Sequence, residues 1–224
     1  MNIHFVTFSD KKYESRQKEL ENFAKDSNKF KTITSYTKDW LIETDFYKNN
    51  KNILDLQRGC GYWLWKPYII KEKIKEIEHN DVIFYIDCGD WFSLNIIDYV
   101  LNKMSSEEHY ILFHEYQEYK NSNWTKRDCF ILMNCDEEKF WSGKHIEAGV
   151  LFVKNNLFSI NLIDEWLEFC KNEQILTDID NKHGINLPDF KDHRHDQSIL
   201  TNLKIKYNIS GDPNIFNLAR CNVR

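Results

Sequence analysis

The chain has 224 residues and a mass of 27.1 kDa, of which 42% are hydrophobic, 29% charged and 15% aromatic. So high an aromatic content excludes a mainly disordered chain, and 7 Gly with 3 Pro exclude collagen-like and low-complexity classes. A net charge of −5 and a pI of about 5.9 give no basic field for nucleic acid, and a chain of this length can bury a sizeable core without staples.

Ile3 to Phe8 reads as a short apolar strand ended by Ser9-Asp10, and residues 13–26 follow with a helical stripe of Leu20, Phe23 and Ala24. Lys31 to Tyr36 reads as a second strand, so the chain opens β-α-β, which favours an α/β sheet with parallel neighbours. Residues 40–57 are mixed and helical in part. Arg58 to Pro67 holds two Gly, three aromatics and a Pro, which predicts a loop. Pro67 is placed to open a helix over Tyr68 to Glu78, buried through Ile69, Ile70, Ile74 and Ile77.

Asp81 to Asp87 is the strongest strand, nearly all apolar, as a central parallel strand covered on both faces must be. A helix is predicted over Asn95 to Lys103, a strand over Tyr110 to Phe113, and a helix near Asp128 to Met133 within the polar, aromatic stretch 115–143. Glu147 to Val153 reads as a strand, Ser159 to Cys170 as an amphipathic helix, 172–192 as a long connection and Asp196 to Leu203 as a short helix. No repeat or linker interrupts this order, which predicts one domain.

Six Cys stand at 60, 88, 129, 135, 170 and 221 without a C-x-x-C pair, so a zinc knuckle is not expected. The opening Met-Asn-Ile-His-Phe-Val lacks a signal-peptide layout, which predicts reduced thiols and a cytoplasmic protein. No apolar run approaches the ~20 residues that span a bilayer. Peripheral attachment to a membrane surface stays open.

Three segments carry chemistry. Asp87 and Asp90 follow the central strand, where ligands of open α/β sheets bind, and Gly89 between them lets two carboxylates face one divalent ion. Without a ligand they would cap the turn and the next helix. Arg58 and Lys66 are cations in a Gly-containing segment before a helix, an arrangement suited to a diphosphate, while Trp63 and Trp65 offer flat faces to a sugar or base unless they pack in the core. His193-Arg194-His195-Asp196-Gln197-Ser198 is a dense polar cluster that could bind metal, phosphate or a sugar hydroxyl, or merely cap a helix. Glu147, before Ala148-Gly149, and His145 could reach a pocket. The histidines at 4, 79, 109, 114 and 183 form no useful spacing, and no P-loop, nucleophile elbow or dinucleotide fingerprint is present.

With Arg58-Gly-Cys-Gly-Tyr-Trp-Leu-Trp-Lys-Pro67, Phe84-Tyr-Ile-Asp-Cys-Gly-Asp90, Glu147-Ala-Gly-Val-Leu-Phe-Val-Lys154 and His193-Arg-His-Asp-Gln-Ser-Ile-Leu200 in hand, the chain resembles GT-A-fold glycosyltransferases of the small bacterial surface-polysaccharide type. The resemblance runs from Ile3 to about Tyr207. It implies a single GT-A domain, Rossmann-like, with a mostly parallel sheet between helices, a nucleotide-binding half over about 1–110 and an acceptor half over about 111–224. It implies transfer of a hexose-like sugar from a nucleotide diphosphate donor, UDP-sugar favoured, to a hydroxyl of a glycan or lipid-linked glycan. In this fold an Asp-x-Asp motif holds ribose and a manganese or magnesium ion. Asp87 takes its first position, and because position 89 is Gly the second carboxylate shifts to Asp90.

The resemblance places Thr7, Phe8 and Asp10 near the base, Arg58, Lys66, Asp87 and His193 on the donor, and His195 with Asp87 and Asp90 on the metal. Asp196 and Gln197, like an Asp-Gln pair of several retaining families, fall near the reacting centre with Glu147. Two other readings remain: a nucleotidyl or phosphosugar transferase, which would want glycines after the first strand where Ser9-Asp10-Lys11-Lys12 stands, and a non-catalytic sugar- or nucleotide-binding protein, which would not hydrolyse a donor.

Overall fold

The computed structural model describes residues 1–105 and 110–219, so His109 and Cys221 lie outside the described residues. Five strands, β1 (Ile3–Ser9), β2 (Thr32–Thr37), β3 (Val82–Ile86), β4 (Ile111–Lys120) and β5 (Lys144–Lys154), form one sheet in the order β2-β1-β3-β5-β4. β1 pairs parallel with both β2 and β3, whereas β5 pairs antiparallel with β3 and with β4. β4 therefore runs in the direction of β3, and β5 returns between them as the one reversed strand. The α/β class and the opening β-α-β unit are as the sequence predicts, and the mostly parallel expectation holds for four of the five directions.

Helices cover both faces because the central strands are apolar on both. Ile83 and Tyr85 face one core with the helices Trp65–Ile74, Leu157–Cys170 and Asp196–Lys206. Val82, Phe84 and Ile86 face the other, under Glu14–Asp26 and Asn95–Met104. Phe84 stacks on Phe152 of the neighbouring strand with centroids 4.5 Å apart, a cross-strand pair that fixes the β3–β5 register. Helix starts follow capping chemistry where it is present: Asn156 accepts from Ser159 N at 2.9 Å.

Helix Trp65–Ile74 takes Pro67 within its first turn, as expected, but stops four residues before Glu78. β4 runs well past Phe113, its register with β5 breaking at Phe113/Glu115 and again at Glu115/Lys120. This extension carries Tyr116 alongside Glu147. Cys60, Cys88, Cys129, Cys135 and Cys170 are free thiols. Among the described residues no helix is long and apolar enough to cross a membrane.

Candidate functional site

β1 and β3 run parallel, so their carboxyl ends open on one side of the sheet, and the chain leaves both there in turns. A crevice of about 370 Å³ lies at this edge, lined among others by Phe8, Asp10, Gly59, Cys60, Trp63, Trp65, Asp87 and Gly89. Asp87 N donates to Gly149 O at 2.8 Å, and Asp90 N closes the turn onto Asp87 O at 2.9 Å. Trp65 is buried, stacks on Phe8 at 3.9 Å and donates from Nε1 to Gly59 O at 2.9 Å, so it builds the wall while Trp63 borders the opening.

Lys66 does not wave in a loop. It is 3% exposed, and its Nζ lies 3.1 Å from Ala148 O, 3.4 Å from Asp87 Oδ1 and 3.3 Å from Asp196 Oδ2. Burial opposes its charge, but the carboxylates of Asp196, Asp87 and Glu147 outweigh burial and hold the ammonium above its ordinary range. Asp196 is buried too, and burial, with Asp87 beside it, pushes its carboxyl up to about 7 despite Lys66. Asp196 Oδ2 meets Lys66 as an ion pair only and has no aligned hydrogen bond. Asp87 keeps about a third of its side chain open to the crevice and accepts from the Tyr85 hydroxyl. One buried cation thus ties an exposed carboxylate to a hidden one.

Glu147 lies on the same edge. Its Oε1 accepts from Gly149 N at 3.0 Å, and its Oε2 accepts from the Tyr116 hydroxyl. A Cβ at Gly149 would sit 2.9 Å from Glu147 Oε1 and 3.2 Å from both Asp87 Oδ2 and Asp90 Oδ2. The three carboxylates therefore crowd a glycine, and only a glycine fits among them. The point they share is within bonding distance of Gly149 Cα, so it is no ion position, and among the described residues no three His, Cys, Asp or Glu close on a metal. Asp87 and Asp90 nevertheless form a pair of hard oxygen donors at an open edge. Such a pair suits a magnesium-like ion that would take the rest of its shell from phosphate and water.

The segment after Arg58 is one turn of left-handed helix. Gly59, Cys60, Gly61, Tyr62 and Trp63 all have positive φ, and the amides of Tyr62 and Trp63 donate to the carbonyls of Arg58 and Gly59 at 2.7 and 3.2 Å. L-residues in this conformation cost roughly 1–2 kcal/mol each. Besides four asparagines, the other described non-glycine with positive φ is His195, whose ring meets Tyr62 at 4.9 Å and Trp63 at 5.5 Å. Strain in the described chain is gathered at this rim of the crevice, where function most often holds it. The turn depends on its glycines: a Cβ on Gly61, at φ +96°, would stand 2.7 Å from Leu54 Cα. Gly61→Ala is expected to lower stability by about 2 kcal/mol or more in urea unfolding. Gly89→Ala, with nothing within 4 Å, is expected to stay within about 0.5 kcal/mol.

The structure brings together Phe8, Asp10, Lys66, Asp87, Asp90, Glu147, Asp196 and Gln197, the last through a 3.0 Å bond from Ala148 N to Gln197 Oε1. Four expected site residues lie elsewhere. Thr7 is wholly buried within β1. Arg58 turns to the connection, pairing with Asp178 at 2.7 Å and Asp192 at 3.7 Å. His193 has both ring nitrogens engaged, Nδ1 by Lys126 N at 3.3 Å and Nε2 by Ile175 O at 2.8 Å, so none is left for a donor.

His195 is buried beside Tyr62 and Trp63. Its Nδ1 is on Leu176 O at 2.8 Å and its Nε2 is 3.8 Å from Asp178, and burial pulls the ring down to about 4. His145 is likewise interior, pulled down to about 3 by burial. Sequence reasoning missed Tyr85 and Tyr116, and it named Gly149 without its three carboxylate neighbours. Only the small Ala148-Gly149 pair signalled a close approach.

No family model matches this chain, and no curated protein matches it. Solved structures similar to it include two glycosyltransferases. One is a glycosyltransferase involved in the glycosylation of the major capsid of PBCV-1, with 11% identity, TM-score 0.40 and coverage of 74% of this chain and 65% of that one. The other is mouse xyloside xylosyltransferase 1 in its apo form, with 8% identity, TM-score 0.48 and coverage of 95% and 84%.

Proposed function

We propose that the protein is a glycosyltransferase of GT-A architecture that moves a sugar from a nucleotide diphosphate donor, UDP-sugar first, to a hydroxyl of a glycan of the bacterial surface kind. The observation that carries this reading is the chain of charges Asp87–Lys66–Asp196, which joins an acid at the mouth of a nucleotide-sized crevice to an acid held dry behind it.

In this reading the base enters between Phe8 and Asp10, at the end of β1. Asp87 takes the ribose, and Asp87 with Asp90 would hold a magnesium or manganese ion, which would supply positive charge to the leaving diphosphate. Lys66 fixes the spacing of Asp87 and Asp196 and favours the ionised form of Asp196 against its burial. Asp196 offers a carboxylate to positive charge developing on the donor sugar or to the acceptor's proton, and Gln197 holds the Ala148 backbone in place beside it. A nucleotide half over about 1–110 and an acceptor half beyond it fit this assignment, as does a protein acting in the cytoplasm at the inner face of a membrane.

Asp87→Asn is expected to weaken donor binding at least ten-fold while the fold stays intact, because Asp87 lies at a strand end and is partly exposed. A thermal-shift series with UDP-, GDP-, CMP- and dTDP-sugars, with and without manganese, checks this. A donor at 100 times its dissociation constant stabilises by about 2.7 kcal/mol. Absence of any shift with every donor overturns the reading, and undiminished shifts in Asp87→Asn remove Asp87 from it.

A further inference from the structure

A second cavity of about 300 Å³ lies between Lys126 and the connection that follows residue 176. The left-handed turn lines the crevice and reaches the cavity's lining at Asp178. Gly59, Cys60 and Trp63 line the crevice, while Arg58 Nη1 and the Tyr62 hydroxyl bind Asp178 Oδ2, at 2.7 and 3.0 Å, on the cavity side.

At the cavity's inner end is Lys126, 4% exposed. Its ammonium donates to Thr177 O at 2.8 Å and Ile179 O at 2.9 Å, two of its three hydrogens, and no carboxylate lies within ion-pair distance among the described residues. Burial pulls this lysine below its ordinary range, although Cys129, Asp128, Asp178 and Asp180 act in the opposite direction from farther off. The nearby acids are otherwise engaged or face outward. Asp178 and Asp192 are committed to Arg58, and the exposed Asp180 side chain has no partner among the described residues. Around Lys126 the cavity adds Asn186, whose Oδ1 is taken by Arg127 N and Asn181 while its Nδ2 has no partner among the described residues, and the ring of Phe190.

We infer that this cavity is a binding site for a sugar bearing an anionic group, a carboxylate or a phosphate, which meets the third hydrogen of Lys126 while ring hydroxyls meet Asp180 and Asn186. The cavity supplies one buried donor cation, hydroxyl partners of both signs and an apolar ring face, which together suit an acidic sugar. The proposed glycosyl transfer makes this sugar the acceptor's terminal residue. That assignment rests on the transferase reading. The binding does not.

Titration of the intact protein by ligand-observed NMR and calorimetry with methyl α-glucuronide, glucose 6-phosphate and methyl α-glucoside tests it without turnover. The charged probes are expected to bind at least ten-fold more tightly than the neutral one, and the better of the two charged probes names the anion. Lys126→Met is expected to lower that affinity ten-fold or more. If Lys126→Met does not fold, Ile179→Asp, at a partly exposed position on the cavity edge, sets a carboxylate against the anion and is expected to weaken it equally. Asp87→Asn is expected to leave this binding unchanged. Equal affinity for all three probes, or charged-probe binding that survives Ile179→Asp, overturns the inference. Charged-probe binding with no donor binding would overturn the transferase reading and leave this site standing.

Discussion

Lys66→Met is expected to destabilise the fold by about 3–5 kcal/mol at pH 8, the effect of deleting one partner of a buried ionic cluster. The substitution keeps the volume of the stem but leaves Asp87 and Asp196 facing each other across the space of the lost ammonium, with Asp196 fully enclosed. The loss should depend on pH in a stated direction. Asp196 titrates at about 7 in the folded chain against an ordinary 3.8. Its proton is thus bound more tightly folded than unfolded, so its contribution to stability is full below pH ~4 and is lost as pH rises to ~7.

Removing Lys66 takes away the charge that favours the ionised form, so this loss extends to higher pH and deepens. At pH 5 the variant keeps Asp196 neutral and should lose less than at pH 8. Lys66→Met combined with Asp196→Asn should recover most of the stability at pH 8, because a neutral amide then replaces the uncompensated charge. Urea unfolding of the two single variants and the double variant at both pH values checks this. Equal losses at pH 5 and pH 8 would mean that Lys66 acts by packing alone.

The residues of this cluster were legible one by one in the sequence, but their union was not. Asp87 stands out because five apolar residues deliver it to a strand end, and strand ends of α/β sheets face ligands. Asp196 stands out by the density of polar groups around it. That Lys66 joins them depends on the handedness of the turn before it, and no spacing rule signals five successive left-handed residues when only two are glycine. The segment therefore reads as a loop with an exposed cation, whereas it folds as a tight turn that hides one.

The direction of β5 was illegible for a different reason. A strand buried on both faces shows an unbroken apolar run whichever way it points, so Val150 to Val153 predicts a strand without its sense. His193 and His195 misled because polarity in sequence was read as polarity at a surface. Both are interior struts whose ring nitrogens hold the backbone carbonyls of Ile175 and Leu176, which anchors the connection to the helix Asp196–Lys206.

Asp196→Asn is expected to lower turnover by a factor of about 10²–10⁴, the usual contribution of a positioned acid–base group, while affinity for the nucleotide diphosphate changes little. Asp196 lies behind Lys66 and is nearly closed off from the crevice, so a bound nucleotide meets Asp87 first. An isosteric amide keeps the backbone of Asp196, whose carbonyl accepts from Trp166 Nε1 at 2.9 Å, and so separates charge from scaffold. If the ionised carboxylate is the working form, wild-type turnover rises with pH and bends near pH 7, the value at which Asp196 gives up its proton in the free enzyme. The residual rate of Asp196→Asn should lack that bend.

Gln197→Ala gives a contrasting result. It frees the Ala148 amide, which Gln197 Oε1 accepts at 3.0 Å, so the part of β5 that carries Glu147 and Gly149 loosens and both donor affinity and turnover should fall. Steady-state rates against pH on an identified donor and acceptor, with nucleotide affinity measured in parallel, distinguish the two variants. Wild-type turnover in Asp196→Asn would move the reacting centre to Glu147. Glu147 shares the edge with Asp87 and Asp90 and carries the Tyr116 hydroxyl as a proton partner already in place.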